Sequence, residues 1–383
     1  MGNIIPMIPY RLNIAVAASV LLTFGPLAGG VAAQAQTLNQ TSGPWVLEKS
    51  GTTAGLRGIH AVGGGVAWAS GTNGTILRTE DGGYEWQSCA APPNADKLDF
   101  RGIWAWDGQT AIVMSSGTGD ASRIYKTTDG CSSWKLVLTN ADKDGFFDAI
   151  AFDDSGRGFL LGDPVAGKFV LMASLDRGKS WIRLTALGLE AGMMKIGAFA
   201  ASDTALVIDG GVPLFGTSGP DGPWLYAGEQ TCTMGIAQDD PTACITQFLR
   251  FAKQKLPMVG NTSTSGIFSL AIAADGASVA VGGDYTRPDT GAGSVACIPV
   301  WEGLPPVWVP ATKPPHGFRS AVAWDADLKA WIAAGTNGSD ISYDDGKTWQ
   351  PLDDGNWNAL SLPWVVGPNG RIAKLDPRKV KKP

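Results

Sequence analysis

From residue 44 onward the chain is punctuated by short apolar or alternating runs, each bounded by Gly, Asn, Asp or Ser. One unit reads FRGIWAW (100–106), then TAIVMSSG, then RIYKTTDG, then a Trp-led WKLVLT ending at residue 139. Period-two alternation between turn residues predicts four short strands per unit, which make one small antiparallel sheet. The layout recurs, with first strands expected in LRGIHAV (56–62), FRGIWAW, FFDAIAF (146–152), MKIGAFA (194–200), FSLAIAA (268–274), FRSAVAW (318–324) and WNALSLP (357–363). Trp86, Trp134 and Trp181 close the first three units at spacings of 48 and 47 residues. A fixed period of this length with four strands per repeat predicts an all-β, seven-bladed propeller.

The seventh unit ends at GRIAKLD (370–376) without a fourth strand. PWVLEKS (44–50), at the other end of the repeats, has the character of that missing strand. The N-terminal strand is therefore expected to close the last blade, which removes exposed sheet edges. The organisation read from this pattern is a leader over 1–35, a linker over 36–43, a propeller over 44–376 and a basic tail over 377–383. An insert over 228–266 is expected between blades four and five, emerging on the channel-mouth face as a lid, a docking flap or a plain surface loop.

The third-to-fourth strand connections carry RTEDGGYEW (78–86), KTTDGCSSW (126–134), ASLDRGKSW (173–181) and ISYDDGKTW (341–349), with a degenerate echo in GTSGPDGPW (216–224). Asp81, Asp129, Asp176 and Asp344 are placed to accept main-chain N–H bonds in a hairpin turn. Trp86, Trp134, Trp181 and Trp349 are placed to pack between blades. Copies spread around a ring cannot converge on one substrate, so the motif reads as a turn staple. Its pattern, Ser/Thr-x-Asp-x-Gly-x-x-Trp, resembles the Asp-box or BNR repeat.

The longer stretch GTNGTILRTEDGGYEW (71–86) resembles the propellers of photosystem II stability and assembly factors. That resemblance implies a non-catalytic seven-bladed propeller that binds protein or cofactor partners. Similar blades occur in sialidases, xyloglucan-degrading hydrolases and sortilin-like receptors, so a sialidase-like or other glycan-acting hydrolase is the second reading. Against it, FRGI (100–103) only partly echoes the sialidase Phe-Arg-Ile-Pro motif, and no Arg-Ile-Pro occurs.

A net charge of −5 argues against a nucleic-acid partner, which favours a basic face. Arg11, the apolar run NIAVAASVLLTFGPLAGGV and the small-x-small site at 33–35 read as an export signal, placing the protein in the periplasm or outside the cell. No membrane span is expected once that signal is removed, and a monomer is expected. Export permits disulfides. Cys232 and Cys244 are expected to pair, Cys89 and Cys131 offer a second pairing, and Cys297 is left over. With no CxxC and two histidines, neither a metal site nor a cofactor is expected.

Aligning the first strands puts Arg57, Arg101, Asp148, Lys195, Ser269, Arg319 and Asn358 at one position near the channel mouth. Four cations and one acid there form a positive rim for an anionic small molecule, a glycan or a protein partner. Asp163, Asp209 and Asp284 are expected to end second strands on the same rim. They either pair with the arginines or serve as glycosidic acids and bases. Tyr285 and His316 belong to this face, and His60 is expected in the core or pore.

Overall fold

The computed structural model describes residues 43–192, 196–234, 244–299 and 307–382, with only the main chain described over 231–234 and 244–248. These residues form seven four-stranded antiparallel sheets. The first strands pack on one another in chain order, and that of the first blade packs on that of the seventh, so the ring is closed. This is the seven-bladed propeller expected from the repeat.

Blade one shows how the pattern becomes a sheet. Its strands are Leu56–Gly63, Val66–Gly71, Ile76–Thr79 and Gln87–Ser88. The middle two lie between neighbouring blades, are covered on both faces and so read as nearly continuous apolar runs. The last strand faces solvent and is polar. Tryptophans fill the seams between sheets. Trp68 meets Trp134 edge-on at 6.4 Å, and Trp86 meets Trp364 edge-on at 6.2 Å.

Ring closure follows the expected route. Trp45–Glu48 pairs with Ile372–Leu375 as the outer strand of blade seven, with Trp45 opposite Leu375 and Glu48 opposite Ile372. Trp45 is fully buried and its Nε1 donates to Ser339 Oγ at 2.9 Å, which ties the strand to blade six. Glu48 Oε2 accepts indole N–H bonds from Trp86 at 2.8 Å and Trp364 at 3.2 Å, which ties it to blade one.

The acidic turns are staples. Thr79 Oγ1 donates to Asp81 Oδ1 at 2.9 Å and accepts from Gly83 N at 3.0 Å, while Asp81 Oδ1 accepts from Glu85 N at 3.1 Å. The same bonds recur at Asp129, Asp176 and Asp344. Bonds from Ser133 and Thr127 pull the Asp129 carboxyl down to about 2. Trp86, Trp134 and Trp349 are buried, and Trp181 is half-buried. In the second copy Cys131 replaces the motif glycine at φ 66°, and a disulfide to Cys89 joins that turn to blade one.

Blade four departs from the expected layout. Its strands are Leu206–Asp209, Val212–Gly216, Trp224–Met234 and Cys244–Lys255. The stretch GTSGPDGPW therefore joins the second strand to the third. Residues 228–234 and 244–255, within the stretch expected as an insert, belong to the long third and fourth strands of this blade. A bend between third and fourth strands lies at the acidic-turn end of a blade, so this hairpin is directed away from the Arg57 face. The Cys232–Cys244 pairing falls on side chains outside the described residues, as do the leader and the linker up to residue 42. Among the described residues no helix is long and apolar enough to cross a membrane.

Candidate binding rim

The pairing of first and second strands decides which side chains reach the channel mouth. In four blades the register skips one residue: Arg57 between Leu56 and Gly58, Arg101 between Phe100 and Gly102, Asp148 between Phe147 and Ala149, and Phe268 between Ile267 and Ser269. A bulge re-aims the skipped side chain, here toward the mouth. Blades six and seven are placed by an equivalent main-chain bond. Leu56 N donates to Gly367 O at 3.1 Å, Ile267 N to Thr217 O at 3.1 Å, Arg319 N to Gly282 O at 3.0 Å and Trp357 N to Gly335 O at 3.0 Å. Arg319 is thus the counterpart of Leu56, and Ser320 that of Arg57.

The mouth positions are therefore Arg57, Arg101, Asp148, Phe268, Ser320 and Asn358, all lining one cavity of about 450 Å³. Two expected members move by one residue, Ser269 giving way to Phe268 and Arg319 to Ser320. Lys195 lies outside the described residues, and Ala198 to Ala201 supply the fourth-blade wall. Asp163 and Tyr285 join this cavity as expected.

Arg319 instead occupies a seam position and is fully buried. Its Nε donates to Asp340 Oδ2 at 2.7 Å and its Nη1 to Asn337 Oδ1 at 2.7 Å. His316 pairs with Asp340 Oδ1 at 2.9 Å, which raises its pKa against the opposing effect of burial. These groups satisfy one another away from the cavity. Asp284 accepts from Thr286 N at 3.0 Å, from its hydroxyl at 2.7 Å and from Arg287 at 3.3 Å, closing its own turn. Asp209 is exposed at the end of the first strand of blade four, on the acidic-turn side. Of the three carboxylates considered as catalysts, only Asp163 lines the rim cavity.

The expected positive rim is not realised, because Asp99 holds both arginines. Arg101 Nε donates to Asp99 Oδ2 at 2.8 Å, while Arg57 Nε stands 3.9 Å from Oδ1, too far for a hydrogen bond. Arg101 Nη1 also donates to Ala200 O at 3.2 Å. Asp163 Oδ1 accepts from Ala198 N at 3.1 Å. Asp148 is 1% exposed, and its Oδ2, like Arg57 Nε, is buried without a hydrogen-bond partner. Burial and then the charge of Asp163 push the Asp148 carboxyl well above its ordinary range, with Arg101 opposing. Burial likewise raises Asp163.

The other side of the cavity is aromatic. Phe199 and Phe268 stack at 3.5 Å, and Phe268 meets Phe318 edge-on at 4.7 Å and Tyr285 at 6.2 Å. Sequence reasoning missed the three phenylalanines. Phe268 and Phe318 each stand beside a residue aligned to the rim, so a one-residue shift in register would have found Phe268. Among the described residues no group of three or more His, Cys, Asp or Glu is arranged to hold a metal.

No family model matches the chain, and no curated protein matches it. Solved structures do. YCF48 bound to D1 peptide aligns at 17% identity and a TM-score of 0.53, covering 87% of this chain and 96% of its own. YCF48 from Cyanidioschyzon merolae aligns at 15% identity and a TM-score of 0.56, covering 88% of this chain and all of its own. The fold is shared with YCF48. An ancestral GH74 enzyme aligns at 12% identity and a TM-score of 0.48, covering 84% of this chain and 41% of its own. The likeness in fold spans 87–88% of the chain, well beyond residues 71–86.

Proposed function

We propose that the chain is an exported, non-catalytic binding module whose rim cavity receives a segment of a protein partner. The observation that carries this reading is the rim cavity in which Asp148 and Arg57, whose buried Oδ2 and Nε make no hydrogen bond, share the lining with an aromatic wall. Leaving such groups unmade is costly. A peptide supplies an N–H and a C=O at once, with a side chain to pack on Phe268. YCF48, which shares the fold, has been solved with a peptide bound. The apolar leader and the Cys89–Cys131 disulfide support export.

The test is a fluorescence-polarisation screen of a labelled peptide library against the chain from residue 36 onward, with D148N and F268A alongside. Saturable binding weakened about tenfold or more by each variant is expected, the loss of a hydrogen bond or of buried aromatic contact being worth that much. Binding untouched by both variants would move the site elsewhere. Hydrolysis of aryl glycosides or xyloglucan oligosaccharides, lost in D163N, would replace this reading with the glycan-acting one.

A further inference from the structure

The channel is divided into two compartments. Residues 198–204 leave the fourth sheet and cross it as a partition. Ala198 to Ala201 line the rim cavity, while Ser202, Asp203 and Thr204 floor a second cavity of about 660 Å³. That cavity also reaches Asp153, Asp154 and Leu362, residues at the turns between first and second strands, so it opens on the acidic-turn end.

The partition is pinned to four other blades. Asp203 Oδ2 accepts from Ile103 N at 3.1 Å and Oδ1 from Ile150 N at 2.7 Å. Ser202 Oγ donates to Ser320 O at 2.7 Å, and the hydroxyls of Thr204 and Ser269 share a bond at 2.7 Å. The second cavity is therefore a blind well with a fixed floor.

Val207, Ile208, Ala271, Ala323, Trp104 and Trp324 are half-buried along its walls, although the exposed lining as a whole is about as polar as it is apolar. Above the polar floor, His60 and Ser361 are the polar side chains of the wall. His60 Nδ1 accepts from Ala105 N at 3.3 Å, which places the ring proton on Nε2. Burial lowers its pKa to about 4, so the ring is neutral, and it lies against Trp104 at 4.1 Å. Nε2–H has no partner among the described residues. Ile103 and Ala105 lie two residues apart on one strand, so Asp203 and His60 sit about 7 Å apart along the channel. No lysine or arginine lines the well, and Asp153 and Asp154 stand at its mouth.

We propose that this well binds one neutral molecule with a hydrocarbon body and a single carbonyl or hydroxyl oxygen, which accepts from His60 Nε2. The volume lies within the range of small-molecule pockets. Asp153 is paired with Arg157 at 3.0 Å, which leaves the Asp154 carboxylate at the mouth and no cation in the lining to favour a carboxylate ligand. The site is separate from the rim, so its fate is independent of the peptide-binding reading.

The test uses N-phenyl-1-naphthylamine as a fluorescent probe, with 2-undecanone, 1-dodecanol and dodecanoate as competitors. Saturable probe binding at one site is expected, with the ketone and the alcohol displacing it and dodecanoate about tenfold weaker or worse. A323W and A271F, two independent ways of filling the well, each abolish probe binding, while the rim variant D148N leaves it unchanged. H60F keeps the aromatic contact and the probe affinity but weakens ketone and alcohol by up to about tenfold. Absence of saturable binding, binding that survives both filled variants in their folded form, or equal affinity for dodecanoate and the ketone overturns the proposal.

Discussion

Arg319 and Asp340 form an ion pair with neither side chain exposed, Nε donating to Oδ2 at 2.7 Å. The pair stands at a seam where blade one has Leu56, so an arginine replaces a hydrophobe in the core. Burial lowers the Arg319 pKa, and Asp340 opposes that shift.

Removing either partner leaves a buried charge unmatched. R319A or D340A is expected to cost about 3–5 kcal/mol in urea unfolding, whereas R319M/D340L costs less than either single change. Single variants losing under about 1 kcal/mol would show that solvent reaches the seam.

Asp203 predicts a pH dependence of stability. Burial raises its carboxyl to about 8, despite the bonds from Ile150 and Ile103. The unfolded chain releases this proton near pH 4 and the folded chain near pH 8, so folding retains a proton across that window. The contribution is fully present below the unfolded value and lost as pH rises through the folded one. Its slope approaches about 1.4 kcal/mol per pH unit. D203N cannot titrate, so its stability should fall less steeply than that of the parent between pH 5 and 8. Parallel curves for the two proteins would refute the assignment.

The disulfide joins residues 42 apart in sequence. On the chain-entropy account its loss costs about 4 kcal/mol, so C89A/C131A should melt well below the parent. Cys131 sits at φ 66°, where a side chain is strained and glycine is not. C89A/C131G should therefore recover about 1 kcal/mol relative to C89A/C131A. Equal melting temperatures for the two double variants would show that the turn relaxes once the bridge is gone.

What was legible in the sequence was local and repetitive. Alternating runs gave the strands, because a side-chain period of two must match a sheet face. The acidic turns were legible because their bonds close within a few residues, as Thr79 and Asp81 show. Ring closure by Trp45–Glu48 was legible because one blade lacked a strand and one strand lacked a blade.

The functional surface depended on events that leave no periodic trace. Bulges before Gly58, Gly102, Ala149 and Ser269 each skip one residue, and that slip decides whether a side chain lines the mouth or fills a seam. It sends Arg57 to the rim and buries Arg319, although both sit in similar strings of letters. In blade four, Asp203 finds its partners on blades two and three, so residues 198–204 became a partition that overlaps the run at 194–200 where the pattern suggested a strand. The chain alone determined the blades and their staples, since those bonds are made by neighbours in sequence, and it marked the ring closure by the one strand left without a blade. The division of the channel into two cavities was decided only in three dimensions, where main-chain donors of distant strands meet a single carboxylate.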